Sequence, residues 1–141
     1  MSRFAYSHRI TDAFLVLLRA GLWEKDLESL SSFPLTSEEW HDVYQSAICQ
    51  TVSGIVYRGI LRLPDRLFPP EDILLPWVVR ADAIEQRNRY MNEVVNELCS
   101  FFKNGEIRTV LQKGQGIASL YECPLMRECG DIDLYFPDRK E

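Results

Sequence analysis

The 141-residue chain has little of what marks a zinc module, a disulfide scaffold or a membrane protein. Histidine occurs only at His8 and His41, and the four cysteines (Cys49, Cys99, Cys123, Cys129) include no Cys-x-x-Cys pair, so no zinc-ligand spacing is present. Such cysteines read as reduced and structural, in a cytoplasmic protein. The longest strongly apolar stretch, Ala13 to Leu18, falls far short of the roughly 20 residues that cross a bilayer. Met1 to Ile10 carries charge but no apolar h-region and no small-residue cleavage site, which predicts a soluble chain with no signal peptide and no membrane partner. Positive charge is also short, with 16 basic against 21 acidic side chains and a net charge of -5. Affinity for phosphate backbones comes from many Lys and Arg contacts that release counterions, so long nucleic acid is disfavoured while a site for one nucleotide stays open. No Gly-x-Ser-x-Gly elbow supports a serine hydrolase.

What is present is an ordinary globular balance of 46% hydrophobic and 26% charged residues, enough at this length for a packed core without staples. Phe14, Leu17, Leu18 and Leu22 fall at helical intervals and predict a short helix from Thr11 to Trp23, broken near Gly21. Thr36 and Glu39 form a Thr-x-x-Glu capping box, with Leu35 and Trp40 placed to staple across it, so a second helix starts at Ser37. Its apolar spacing continues through Ile48, Val52 and Ile60 to Leu63, while Thr51, Ser53 and Gly54 weaken the middle enough to split it. Pro64, Pro69 and Pro70 punctuate a loop.

A long helix follows from about Asp72 or Leu75, with Trp77, Ile84, Met91 and Leu98 at intervals of seven, interrupted by the polar Asn88. So few heptads predict packing within the chain rather than a coiled coil. Asn104-Gly105 supplies a stop through a left-handed glycine. Beyond it Ile107 to Leu111 reads as a strand, Gly114 to Glu122 as a helix and Ile132 to Phe136 as a second strand.

Chemistry concentrates in this last segment. Lys113-Gly114-Gln115-Gly116 lies between strand and helix, where glycines let the backbone approach a ligand and free N–H groups favour an anion. Asp131-Ile132-Asp133 opens a strand, whose period of two sends both carboxylates to one face. Carboxylates placed so repel each other unless a cation lies between them, and Mg2+ is normally held by one or two carboxylates plus water and substrate phosphates.

Leu111-Gln-Lys113-Gly114, Leu120-Tyr121, Pro124-Leu-Met-Arg127 and Gly130-Asp-Ile-Asp-Leu134 together resemble the uncharacterised nucleotidyltransferase family of the polymerase-beta-like superfamily. The likeness extends upstream to Trp40 at a helix start, to Gly54-Ile-Val-Tyr-Arg-Gly-Ile60 ahead of Pro64, and to the long helix, covering roughly residues 36 to 136. The resemblance implies a Mg2+-dependent transfer of a nucleoside monophosphate from an NTP to an acceptor of unknown class. It also implies triphosphate contact at Gly114 with its neighbours Gln115 and Gly116, anion contacts from Lys113 and Arg127, and Mg2+ ligation by the catalytic pair Asp131 and Asp133.

The superfamily pattern needs a third carboxylate on a later strand, and Asp138 and Glu141 lie too close to Asp133 in sequence to supply it. The two-metal site is therefore incomplete in this sequence. The expectation is an α+β chain, with a helical region at 1–105 and a partial nucleotidyltransferase palm at 106–141, either truncated or a remnant that lost activity. The alternatives are a helical interaction module with a vestigial motif, and a dinucleotide-binding unit built on Gly114-x-Gly116-x-x-Ser119. Two terminal strands with open edges further predict self-association.

Overall fold

The computed structural model describes residues 7–137. Asp138 and Glu141, and most of the N-terminal stretch searched for a signal peptide, lie outside them. The elements in chain order are α1 (His8–Trp23), α2 (Ser37–Cys49), α3 (Ser53–Ile60), α4 (Glu71–Asn104), β1 (Val110–Gln112), α5 (Gly114–Ala118) and β2 (Asp133–Tyr135). Single 3-10 turns form at Asp65–Leu67 and Pro124–Met126. The α+β expectation holds, with four longer helices leading into one small antiparallel sheet.

The capping box forms as the sequence predicts. Glu39 N–H donates to Thr36 Oγ1 at 3.2 Å and Thr36 N–H donates to Glu39 Oε2 at 2.8 Å, so α2 starts at Ser37. Trp40 lies in the main core cluster and the half-buried Leu35 packs against it. The expected split falls between α2 and α3, where Thr51 takes a left-handed conformation.

Gly21 does not break α1. The helix runs on to Trp23, and a Cβ on Gly21 would lie 1.8 Å from the Ile55 carbonyl oxygen of α3. Gly59 meets Leu17 with the same intolerance, so these two glycines let α1 and α3 cross with their backbones in contact. The helix instead ends through Glu24, left-handed at φ 48°, whose N–H donates to the Ala20 carbonyl.

Trp40 and Trp77 are fully buried at the centre of the core, in an edge-to-face pair with centroids 6.5 Å apart, and the Tyr44 ring lies tilted against Trp77 at 4.9 Å. The seam of α4 packs within the chain, with Trp77, Ala81, Ile84, Asn88 and Val95 buried against α2, α3 and the Pro124–Met126 turn. The end of α4 differs from expectation. Gly105 has φ -84°, and the left-handed residue is Glu106 at φ 58°.

All three C-terminal elements are shorter than the sequence pattern predicts; in the first strand and the helix the apolar residues that extended them, Ile107 and Leu120, are exposed rather than packed. β1 and β2 pair antiparallel, with Leu111 opposite Leu134 and Gln112 opposite Asp133. A dinucleotide-binding unit needs parallel strands joined by a crossover helix, so that reading is excluded. Phe102 of α4 packs its ring on Phe136, centroids 5.0 Å apart, tying the sheet to the helix end.

Candidate functional site

The turn between β1 and α5 and the approach to β2 come together as one unit. Lys113 has φ 49° and ψ -152°, a combination that is essentially confined to glycine. Gly114 follows at φ 39°, and a Cβ there would sit 3.1 Å from the Asp131 carbonyl oxygen. The turn and the acidic segment are therefore in backbone contact, and the first glycine is what permits it. The Lys113 ammonium reaches Asp133 Oδ2 at 3.8 Å.

Asp133, half-buried, is the first residue of β2, while the exposed Asp131 lies two residues ahead of the strand. Strand alternation thus covers Asp133 onward, and because Asp131 precedes the strand, the period of two does not set both carboxylates on one face. Among the described residues no cluster of three or more His, Cys, Asp or Glu is arranged to hold a metal.

The other expected site residues are drawn into structural bonds. The Gln115 side chain turns to α4, where its Nε2 donates to the Asn88 backbone carbonyl (3.3 Å) and Oδ1 (3.4 Å), and its buried Oε1 has no partner. A Cβ on Gly116 would lie 3.1 Å from the Leu111 carbonyl oxygen, so this glycine allows α5 to fold back on β1. Arg127 Nη1 donates to the Gly114 carbonyl (3.3 Å) and to Cys129 Sγ (3.1 Å), and the guanidinium sits 5.8 Å over the Tyr121 ring. Burial works against its charge, but the Cys129 and Tyr121 side chains more than offset this, so its pKa is raised and it stays protonated. Arg127 thereby pins the glycine turn to the 124–130 loop. The four thiols are free, and burial pushes the Cys123 thiol up.

Three residues that the sequence patterns did not single out hold that loop. Asn88, which the heptad pattern showed only as an interruption, is 3% exposed and donates through Nδ2 to the carbonyls of Leu125 and Arg127, both at 2.7 Å. Glu128 accepts from the Ser53 N–H at 2.9 Å and from Arg80 Nη2 at 3.1 Å. A polar residue inside an apolar helical stripe was the one available signal for Asn88. Nothing local marks Arg80 or Glu128.

Two clefts flank Glu128. One of about 450 Å3 is lined by Thr51, Arg87, Asn88 and Gly130. The other, about 350 Å3, is lined by Leu18, Leu22, Ile55, Tyr121 and Arg127. No helix among the described residues is long and apolar enough to cross a membrane.

A family model described as "Uncharacterised nucleotidyltransferase" matches residues 36–140, most of the chain. No curated protein and no solved structure matches it.

Proposed function

Because the chain belongs to the uncharacterised nucleotidyltransferase family, we propose that it serves the transfer of a nucleoside monophosphate from an NTP to an acceptor. Asp131 and Asp133 would hold Mg2+ in this reading, and the Lys113–Gly116 turn would face the triphosphate. The observation that carries it is the backbone contact between Gly114 and Asp131, which puts the glycine turn and the acidic segment in one place.

The donor set fits a hard cation: two carboxylates leave coordination positions for water and phosphate oxygens, the usual surroundings of Mg2+. When bound, Mg2+ supplies charge neutralisation at the phosphates. Lys113 adds a cation within reach of Asp133 and of an anion arriving at the turn. Arg127 acts indirectly, by holding the Gly114 carbonyl and so the shape of the turn. An acceptor would take the cleft lined by Arg87 and Gly130, the residue before Asp131 in the chain. Sugar, small molecule and protein acceptors all stay open, whereas the acidic balance disfavours long nucleic acid. A cytoplasmic location and self-association through the outer edges of β1 and β2 belong to the same reading.

A second reading, an inactive helical interaction module with a vestigial motif, is favoured by one observation: the Lys113 ammonium pairs with Asp133, the carboxylate meant for the metal. Calorimetric titration of ATP, CTP, GTP and UTP with Mg2+ separates the two. Binding that is lost in Asp131→Ala/Asp133→Ala supports the nucleotidyltransferase site, and equal binding by both proteins rules it out.

A further inference from the structure

The first helical residue of α3, Ser53, is fully buried, and the residue before it, Val52, has no side chain able to cap the helix. The missing cap comes from 75 residues away. Glu128 Oε2 accepts from the Ser53 N–H at 2.9 Å, placing a carboxylate at a helix start, where it opposes the positive end of the helix dipole. The second oxygen, Oε1, accepts from Arg80 Nη2 at 3.1 Å, while Arg80 Nε donates to Ser53 Oγ at 2.9 Å. The remaining polar atom of Ser53, its carbonyl oxygen, accepts from Trp77 Nε1 at 3.0 Å. Every polar group of Ser53 is thus bonded, to two residues of α4 and one of the C-terminal loop.

This closed network lies three residues before Asp131 and one after Arg127, which itself grips the Gly114 carbonyl. Against the same loop, a Cβ on Gly54 of α3 would stand 2.4 Å from the Met126 carbonyl oxygen, so α3 and the 124–126 turn are already at closest approach. Gly54 and Asn88 thus fix the start of the loop, and Glu128 anchors it three residues before Asp131.

We propose that Glu128, clamped by Ser53 and Arg80, is a positioning residue that fixes the Asp131–Asp133 segment against the glycine turn. The role rests on the reading of that segment as the Mg2+-binding strand, but the mechanical part can be measured without it. A carboxylate serving only the stability of the helical body would, when removed, loosen α3 and α4 at least as much as the loop. A positioning carboxylate releases the motif selectively, because the core of α2, α3 and α4 is also held by Trp40, Val43 and Val56, which take no part in the clamp.

The experiment is amide hydrogen exchange on the full chain, comparing wild type with Glu128→Ala, Arg80→Met and Glu128→Gln. Expected for Glu128→Ala is a rise of about tenfold or more in exchange across residues 114–118 and 131–135, with α2 and the Trp77 turn of α4 unchanged. Glu128→Gln, which keeps an oxygen for the Ser53 N–H, gives a smaller rise. Should Glu128→Ala fail to fold, Arg80→Met leaves the Glu128–Ser53 bond in place and loosens the same two segments. Exchange that is unchanged there, or that rises equally throughout the helical body, overturns the proposal.

Binding of ATP with Mg2+ is measured on the same proteins, and Glu128→Ala is expected to weaken it. If Asp133→Ala abolishes binding and Glu128→Ala leaves it at the wild-type level, the positioning role falls and the metal site stands. If wild type does not bind while exchange responds as expected, the clamp stands and the nucleotidyltransferase reading falls.

Discussion

Lys113 occupies a backbone conformation that costs a side chain and spares glycine, and that difference sets a sharp test of the site's geometry. At φ 49° and ψ -152° its Cβ crowds the neighbouring peptide groups, a strain of about 1–3 kcal/mol for a residue other than glycine. Replacement by glycine removes the strain but loosens the unfolded chain, which costs about 0.4–1 kcal/mol. The ion pair with Asp133 is lost as well, but with Lys113 74% exposed and a separation of 3.8 Å it contributes little. The balance favours Lys113→Gly over wild type by roughly 0–2.6 kcal/mol, at mid-range a rise in Tm of a few degrees for a chain of this size. Lys113→Ala is the control, since it loses the same ion pair and keeps the Cβ, and it should gain nothing. Urea unfolding followed by circular dichroism measures all three proteins. An alanine variant as stable as the glycine variant, or a glycine variant less stable than wild type, would refute the strained turn. A gain in stability accompanied by weaker nucleotide binding would show that the lysine is kept for its charge at the expense of the fold.

Further expectations concern the body that carries the site. Glu24 accepts from Arg58 at 2.6 and 2.9 Å and from Arg62 at 2.7 Å, and the Arg58 hydrogen bond leads in holding its carboxyl below the ordinary 4.5 despite partial burial. A carboxylate with a lowered folded-state pKa stabilises fully above its unfolded value, and that contribution is lost as pH falls through the folded value. Glu24→Gln should therefore flatten the fall in unfolding free energy between about pH 5 and pH 3, read by urea titration at each pH; an unchanged slope contradicts it. Gly54→Ala should destabilise by about 1–3 kcal/mol in the same assay, since the added methyl would stand 2.4 Å from the Met126 backbone oxygen. A neutral result would mean that α3 and the 124–126 turn do not touch.

What the sequence made legible follows the range of the interactions. The Thr36–Glu39 box spans three residues, so both partners were visible in one glance at the chain, and α2 begins where they place it. The split after Cys49 was likewise local, set by Thr51, Ser53 and Gly54. Gly21 misled for the opposite reason. Glycine in a helix reads as a break by propensity, but here it makes room for another helix whose approach only the fold reveals.

The C-terminal motif shows the same divide. The glycine turn and acidic segment were found from residue types at close spacing, and Gly114 and Asp131 do lie in contact. That Gln115 would turn to Asn88, or Arg127 to the Gly114 carbonyl, depends on partners 27 and 13 residues away. Glu128 and Arg80, separated by 48 residues and unremarkable in their local sequence, were invisible until the loop was seen docked on α3 and α4.

The central claim, that the acidic segment and the Lys113–Gly114 turn form one metal–nucleotide site, is tested most directly by locating a bound cation. Backbone amide spectra of the protein with ATP, titrated with paramagnetic Mn2+ in place of Mg2+, should lose signal first at residues 113–116 and 131–133 together. Asp131→Ala/Asp133→Ala should keep those signals. Broadening centred elsewhere, for instance at Glu24, or unaffected by the double substitution, would contradict the account.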